Sequence, residues 1–289
     1  MTPRDHIRNP VEWIADQVAV GAEAVVRAGR SIGRPAAPAT LPRVRRIEIA
    51  DLRDVLRRGV ADFAAYRSDV IFLCVIYPLA GLVLAWVTFG YDALPLLFPL
   101  ASGFALLGPV AAVGLYEISR RREQGAEVSW ADAFGVIRSP AFGAVLVLGL
   151  LLLAIFLLWM GTAWVIWQGT LGPEPPASAS AFIRDVLGTA AGWTMIGVGC
   201  GVGFVFAAVI LTISVVSFPM LLDRDPGLVA AVTTSIRAVA TNPGPMAAWG
   251  IIVTAGLILG SLPILLGLVV VMPVLGHATW HLYRRLVAS

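Results

Sequence analysis

The feature that most constrains this chain is a series of apolar runs long enough to cross a lipid bilayer. A hydrocarbon core about 30 Å thick requires about 20 predominantly apolar residues of helix. Four runs have this length: Val70–Phe89, Leu94–Tyr116, Phe142–Trp167 and Trp193–Phe218. A fifth, Met246–Tyr283, is too long for one crossing. We therefore expect an all-α, polytopic membrane protein.

The fifth run has a natural break at residues 260–263, which read Gly-Ser-Leu-Pro. Glycine followed by proline within a few residues marks a turn. The break divides the run into two short helices and brings the prediction to six transmembrane helices. The alternative is a single long helix with a re-entrant piece.

Composition supports a membrane protein with several spans. Hydrophobic residues make up 58% of the chain and charged residues 13%, whereas soluble domains average about 45–50% apolar and about 25% charged residues. The two cysteines, Cys74 and Cys200, both lie in apolar runs, which excludes a disulfide framework. The first 40 residues contain no apolar core typical of a secretory signal.

The distribution of arginine predicts the orientation. All 21 basic residues are arginine. If both termini and the loops 117–141 and 219–245 share one side of the membrane, that side holds every arginine except Arg184. Cytoplasmic flanks are enriched in basic residues, so we expect both termini in the cytoplasm and an even number of spans. The anchors expected at this surface are Arg120, Arg121, Arg284 and Arg285.

Two regions are expected along the chain. Residues 1–46 form an Arg-rich cytoplasmic arm that ends in a Pro/Ala linker, and residues 47–289 form the six-span membrane domain. This domain begins with an amphipathic helix at 51–66. Its apolar stripe is expected to exclude the arginines and Asp62. Such a helix either lies flat at the membrane surface or packs on the cytoplasmic ends of the spans.

The chain also shows signs of an internal repeat. Short amphipathic segments at Asp51–Arg67, Ser129–Arg138 and Gly227–Thr241 each precede a pair of spans. Three units of surface helix plus two-span hairpin would account for the chain after the linker, because stacked units bury a core that none can bury alone. Aligning Pro109 with Pro273 places Glu117 at the position of His281.

His277 and His281 are the candidate metal ligands. They lie four residues apart on the last helix and therefore share a face. Neutral imidazole binds transition metals, so the pair could supply half of a metal site. The alternative is that both histidines lie at the cytoplasmic interface beside Trp280, where aromatic belts occur.

Glu117 ends the second span and is followed by three arginines at 120–122. One interpretation is an ion pair or a solvated carboxylate at headgroup level. The other follows from the repeat and pairs Glu117 with His281 at the membrane interface. Polar pairs at membrane depth are functional candidates.

The fourth run carries alternating glycines at Gly197, Gly199, Gly201 and Gly203. They contain two overlapping GxxxG pairs, a spacing that lets membrane helices approach closely. We expect a helix-packing role. A passage for a small solute is the alternative. A dinucleotide loop is excluded because no strand precedes the glycines.

Neither a catalytic motif nor an acid/base dyad is apparent in the sequence, so enzymatic activity has no support and we expect no cofactor. Basic and aromatic residues are not interleaved as nucleic-acid binding requires. The expected partners are the lipid bilayer and other proteins of a membrane complex.

Four motifs resemble one bacterial family. They are RRREQG (Arg120–Gly125), FPMLLDRD (Phe218–Asp225), RAVATNPGPM (Arg237–Met246) and LGHATWHLYRR (Leu275–Arg285). The chain from Ile47 to Leu286 resembles predicted multi-pass integral membrane proteins that are classified as domain of unknown function 2189. The resemblance implies an inner-membrane protein and no established activity.

The function that we expect is a non-enzymatic accessory or scaffold role, within a larger membrane complex such as a respiratory one. Few charges lie within the spans, which fits helix–helix association better than ion coupling. Two alternatives remain open at this point: a transporter of small solutes or lipids, and a redox protein that binds haem or a metal through His277 and His281.

Overall fold

A computed structural model describes residues 41–65, 78–79, 81–83, 86, 94–126, 128–174 and 176–288. The helices, in chain order, are α1 (Asp51–Ala65), α2 (Leu97–Leu106), α3 (Gly108–Ala111), α4 (Val113–Glu123), α5 (Phe142–Gln168), α6 (Ala179–Gly188), α7 (Ala190–Ser214), α8 (Ser217–Arg224), α9 (Leu228–Thr241), α10 (Pro243–Ser261) and α11 (Leu268–Leu286). Leu94–Leu96 and Trp130–Arg138 are 3₁₀ helices. Residues 1–40 of the predicted arm at 1–46, and most of the first predicted span, lie outside the described residues.

The all-helical prediction is confirmed for the part of the chain that the structure describes. Among the described residues, three helical segments are long and apolar enough to cross a membrane: Phe142–Gln168, Ala190–Arg224 and Pro243–Ser261. In the most apolar stretch of 18 residues in α5, only 28% is buried inside the protein. Because α5 is apolar on every side, its outer surface is suited to hydrocarbon and not to water.

The second predicted span, Leu94–Tyr116, is not one continuous helix. It is divided between α2, α3 and α4, with breaks at Leu107 and Ala112. Pro109 lies in the first turn of α3, where its missing N–H costs nothing. The same residue could not continue α2 without losing a helix hydrogen bond, so the break follows from the sequence.

α1 packs lengthwise against α11 within the protein. The two helices are antiparallel, since Asp51 contacts Arg285 while Gly59 lies against Ala278. The buried residues of α1 are Leu52, Val55, Gly59 and Asp62. The expectation that Asp62 lies off the buried stripe is therefore wrong. Asp62 follows Leu52, Val55 and Gly59 at helical spacing and faces the protein interior.

A short extended strap joins the start and the end of the described chain. Val44 forms an antiparallel bridge with Val287, and the Arg45 N–H donates to the Leu286 carbonyl at 2.7 Å. Asn242, between α9 and α10, accepts from the Ile47 N–H at 2.8 Å and donates to the Arg45 carbonyl at 3.0 Å. The strap and α1 thus enclose the C-terminal end of α11.

Candidate functional site

The C-terminal half of α11 is the centre around which α1, α4 and α8 are packed. Glycines on two of these helices allow the close approach. A β-carbon at Gly59 of α1 would lie 2.7 Å from the Val274 carbonyl oxygen. A β-carbon at Gly276 of α11 would lie 2.6 Å from Leu115 of α4. Side chains from three helices therefore meet within hydrogen-bonding distance.

Asp62 of α1 lies in the middle of this contact. Its Oδ1 accepts from Arg122 Nη1 at 2.6 Å. Its Oδ2 accepts from Ser119 Oγ at 2.6 Å and lies 2.9 Å from His281 Nε2. Burial raises the pKa of the Asp62 carboxyl, but the hydrogen bonds from His281 and Ser119 outweigh it and hold the pKa below its ordinary value. Asp62 is therefore a carboxylate that joins α1 to α4 and α11.

The hydrogen bonds of Ser119 determine which nitrogen of His277 carries the proton. Ser119 has a single hydroxyl hydrogen, and the Asp62 carboxylate accepts it. Ser119 Oγ must then accept from His277 Nδ1, which lies 2.8 Å away. Neutral His277 is thus protonated at Nδ1, an assignment made from the network. His277 Nε2 is buried and has no hydrogen-bond partner among the described residues.

Glu117 lies two residues before Ser119 on α4 and has its own partners. Its carboxylate accepts two hydrogen bonds from Arg120 and one from Arg121, each at 2.8 Å. Arg121 also donates to Asp132 at 2.6 Å. His281 bonds to Asp62 instead. Glu117 thus forms ion pairs with two of the arginines that follow it, Arg120 and Arg121. The pairing of Glu117 with His281 that the repeat suggested is not among these contacts.

A second polar layer lies at the very end of α11. Glu123 of α4 accepts from Trp280 Nε1 at 3.0 Å and from Arg284 Nε at 3.1 Å. Asp223 of α8 accepts from the Tyr283 hydroxyl at 2.5 Å and from Arg284 at 3.3 Å. Arg284, one of the predicted anchor residues, therefore joins α4 and α8 to the end of α11 within a layer of charged and aromatic side chains.

The two histidines that were candidate metal ligands do not point to one shared position. His277 Nδ1 bonds to Ser119, whereas His281 Nε2 bonds to Asp62. No group of three or more His, Cys, Asp or Glu side chains suited to a metal ion was found in the described part of the chain. The contacts formed by the two histidines are hydrogen bonds between helices.

The four glycines of α7 have different surroundings. A β-carbon at Gly203 would lie 3.2 Å from Trp159 of α5, so this glycine packs within the protein. At Gly197, Gly199 and Gly201 no atom would lie within 4 Å of an added β-carbon. Gly197 and Gly201 are exposed and lie one turn apart on the same outward face.

Sequence reasoning identified the histidines and Glu117 but missed Asp62 and Ser119. A helical wheel would have found Asp62, since it continues the spacing of Leu52, Val55 and Gly59. Ser119 gave no such signal, because serine at the end of an apolar helix is common. Its importance depends on Asp62, which lies 57 residues away in sequence.

The resemblance noted in the sequence is confirmed over part of the chain. The family model described as "Predicted integral membrane protein (DUF2189)" matches residues 96–223. This range includes RRREQG and most of FPMLLDRD, whereas the motif at Leu275–Arg285 lies outside it. No curated protein and no solved structure matches the chain.

Proposed function

We propose that this protein is a non-enzymatic accessory or scaffold protein of a bacterial inner membrane, which holds a partner helix against the outward face of α7. The observation that carries this proposal is the open GxxxG pair at Gly197 and Gly201. Both glycines are exposed, and the space above each is free of protein atoms. Small residues at this spacing allow the backbones of two membrane helices to approach closely.

The large side chains beside the glycine pair suit the same role. Trp193 and Phe204 are both exposed, Phe204 to 73%, and they lie on the same side of α7 as Gly197 and Gly201. A partner helix could pack its backbone over the glycines while these rings contact it on either side. Gly203, in contrast, is already covered by Trp159, so the glycine run serves both internal packing and an open face.

The orientation that we propose for this scaffold places both termini in the cytoplasm. Arg122, Arg284 and Arg285 bond to carboxylates at one end of the described helices, and Arg184 of α6 lies in the loop that joins α5 to α7. Basic residues favour the cytoplasmic side. A reporter fused after Ser289 that is active only outside the cytoplasm should stay silent; activity would contradict this orientation.

The test of the scaffold role uses paired substitutions in the full chain. Gly201→Leu fills the open face and should abolish the recovery of associated membrane proteins after purification in mild detergent, measured by quantitative mass spectrometry. Gly161→Leu is the matched control, since Gly161 of α5 also has no atom within 4 Å of an added β-carbon but lacks a glycine one turn away. Equal recovery from both variants and the unaltered protein would refute the proposal.

A second candidate, a haem- or metal-binding redox role, is favoured by one observation. His277 Nε2 is an unpartnered buried nitrogen whose ring is oriented by Ser119 and Asp62. Metal-binding histidines commonly have their other ring nitrogen fixed in this way. Absorbance spectra and metal analysis of the purified protein test it, and a colourless, metal-free preparation would refute it.

A further inference from the structure

The strap before α1 and the first turn of α1 carry arginines that face outward. Arg43, Arg45 and Arg46 of the strap, residues 41–50, and Arg53 of α1 are all exposed. We call these four residues the arginine cluster. Glu48 is the single acidic residue of the strap. The strap therefore has a net positive charge and presents it on the surface of the protein.

The carboxylates at the start of α1 do not neutralise the arginine cluster, because other arginines already occupy them. Asp51 pairs with Arg285 at the end of α11. Asp54 accepts from Arg57 and Arg58 on its own helix, each at 2.9 Å. Within the described part of the chain, no member of the arginine cluster forms an ion pair, so these residues leave its charges available to an anion.

The backbone of the strap is fixed although its arginine side chains are exposed. The Arg45 N–H donates to the Leu286 carbonyl at 2.7 Å, and the Arg45 carbonyl accepts from the Asn242 side chain at 3.0 Å. The same side chain accepts from the Ile47 N–H at 2.8 Å. These bonds hold the backbone on both sides of Arg46. Because the strap is ordered beforehand, binding a ligand there costs little conformational entropy of the backbone.

The contact with Asn242 places the strap at the level of the lipid headgroups. Asn242 directly precedes α10, which is long and apolar enough to cross a membrane. The 19 residues of α10 extend about 28 Å at about 1.5 Å per residue, and the hydrocarbon core is about 30 Å thick. The two ends of α10 therefore lie near the two boundaries of the core. Asn242 and the strap that it binds lie at one of these boundaries.

The outward face of α1 changes from charged to apolar along the helix. Arg53, Arg57, Val60 and Ala64 follow one another at the spacing of one helix face, and all four are exposed, Val60 to 50%. Charged side chains are costly to place in hydrocarbon, whereas valine and alanine are not. This face therefore suits the boundary of a bilayer, with Arg53 on the headgroup side and Val60 and Ala64 towards the hydrocarbon.

We propose that the arginine cluster is a binding surface for anionic phospholipid, in which Arg45 and Arg46 bind headgroup phosphate. A guanidinium group matches a phosphate through two parallel N–H donors. Every phospholipid has a phosphate, but the net positive charge of the strap favours headgroups that are negative overall. The ligand is thus a lipid of the surrounding bilayer, and the proposal does not depend on the scaffold role of α7.

The experiment is native mass spectrometry of the full-length protein in a neutral detergent, titrated with phosphatidylglycerol or with phosphatidylcholine of the same acyl chains. The test variant is Arg45→Gln with Arg46→Gln. The matched control is Arg138→Gln with Arg184→Gln, which removes the same two charges, also from exposed positions. Arg138 precedes α5 and Arg184 follows it, and the 27 residues of α5 extend about 40 Å. The control arginines therefore cannot bind one headgroup together.

We expect the unaltered protein to bind phosphatidylglycerol more tightly than phosphatidylcholine. The test variant should weaken the tightest phosphatidylglycerol site by about 30-fold, which corresponds to about 1 kcal/mol for each arginine near a membrane surface, while the control keeps this site. Arg45→Lys with Arg46→Lys retains the charges and should bind more tightly than the Gln pair.

Three results would overturn the proposal. Equal affinity for the two lipids would show that the net charge of the headgroup is not recognised. Equal losses in the test and control variants would show a general effect of protein charge. Equal losses in the Lys and Gln pairs would show that the substitutions act through the fold of the strap and not through its charge.

Discussion

The Asp62→Asn substitution is the most direct test of the polar cluster. It preserves the size of the side chain but removes the charge and one acceptor oxygen. The amide NH₂ that replaces this oxygen can only donate a hydrogen bond. In one orientation it faces Arg122, and in the other it faces Ser119 and His281. All three of these residues donate to the Asp62 carboxylate. At least one donor in the cluster therefore loses its acceptor.

The magnitude follows from the burial of the groups involved. Hydrogen bonds to charged groups contribute about 1.5–3 kcal/mol each, and removing one partner of a buried pair costs about 3–5 kcal/mol. Asp62 is 8% exposed, but Arg122 is 35% exposed and regains hydration when its partner is lost. We therefore expect a destabilisation at the lower limit, about 3 kcal/mol, or a fall in Tm of about 6–12 °C for a chain of this size.

The assay is thermal unfolding in mild detergent, followed by intrinsic tryptophan fluorescence. Asp54→Asn is the matched control because it makes the same chemical change on the same helix. Asp54 pairs only with Arg57 and Arg58 among the described residues, and these arginines are 80% and 59% exposed. Exposed pairs contribute about 0.2–1 kcal/mol. Equal shifts in the two variants would refute the claim that Asp62 joins α1 to the other helices.

Three further predictions concern the same region. Glu117→Gln should lower the Tm by about 4–12 °C, since the buried carboxylate holds two arginines and its loss costs about 2–3 kcal/mol; an unchanged Tm would contradict this. Because the pKa of Asp62 lies below its ordinary value of about 3.9, its stabilisation is complete above that pH and is lost as the pH falls through the folded-state pKa. The Tm difference between the unaltered protein and Asp62→Asn should still be present at pH 5 and shrink below pH 4, and a difference that is lost above pH 5 would point to another group. Gly59→Ala should destabilise the protein by about 1–3 kcal/mol through overpacking against Ala278, whereas Gly161→Ala, measured in the same unfolding assay, should be neutral or stabilising; similar effects of the two would exclude the close contact.

Much of the helical architecture could be predicted because hydrocarbon imposes a simple rule on sequence. The boundaries of α5 match the predicted run Phe142–Trp167 to within one residue, and the predicted break at 260–263 corresponds to the turn after α10. The breaks around α3 follow from Pro109, which the sequence shows directly. Each of these features depends on residues close to one another in the chain.

The polar cluster could not be assembled in the same way. Its members come from α1, α4 and α11, and the longest of its hydrogen-bonded pairings joins residues 219 positions apart. The expectation that Asp62 faces away from the protein treated the charge as a sign of solvent exposure. Charged side chains are seldom buried unless they are paired, and the partners of Asp62 become apparent only when the helices are packed.

The sequence alone determined that this is an all-helical integral membrane protein, because runs of apolar residues satisfy their backbone within the helix and need no distant partner. Only the tertiary structure decided which polar groups meet and which glycines of α7 remain open. Those features depend on distances between segments that are remote in the chain, and such distances are set by packing and not by local composition.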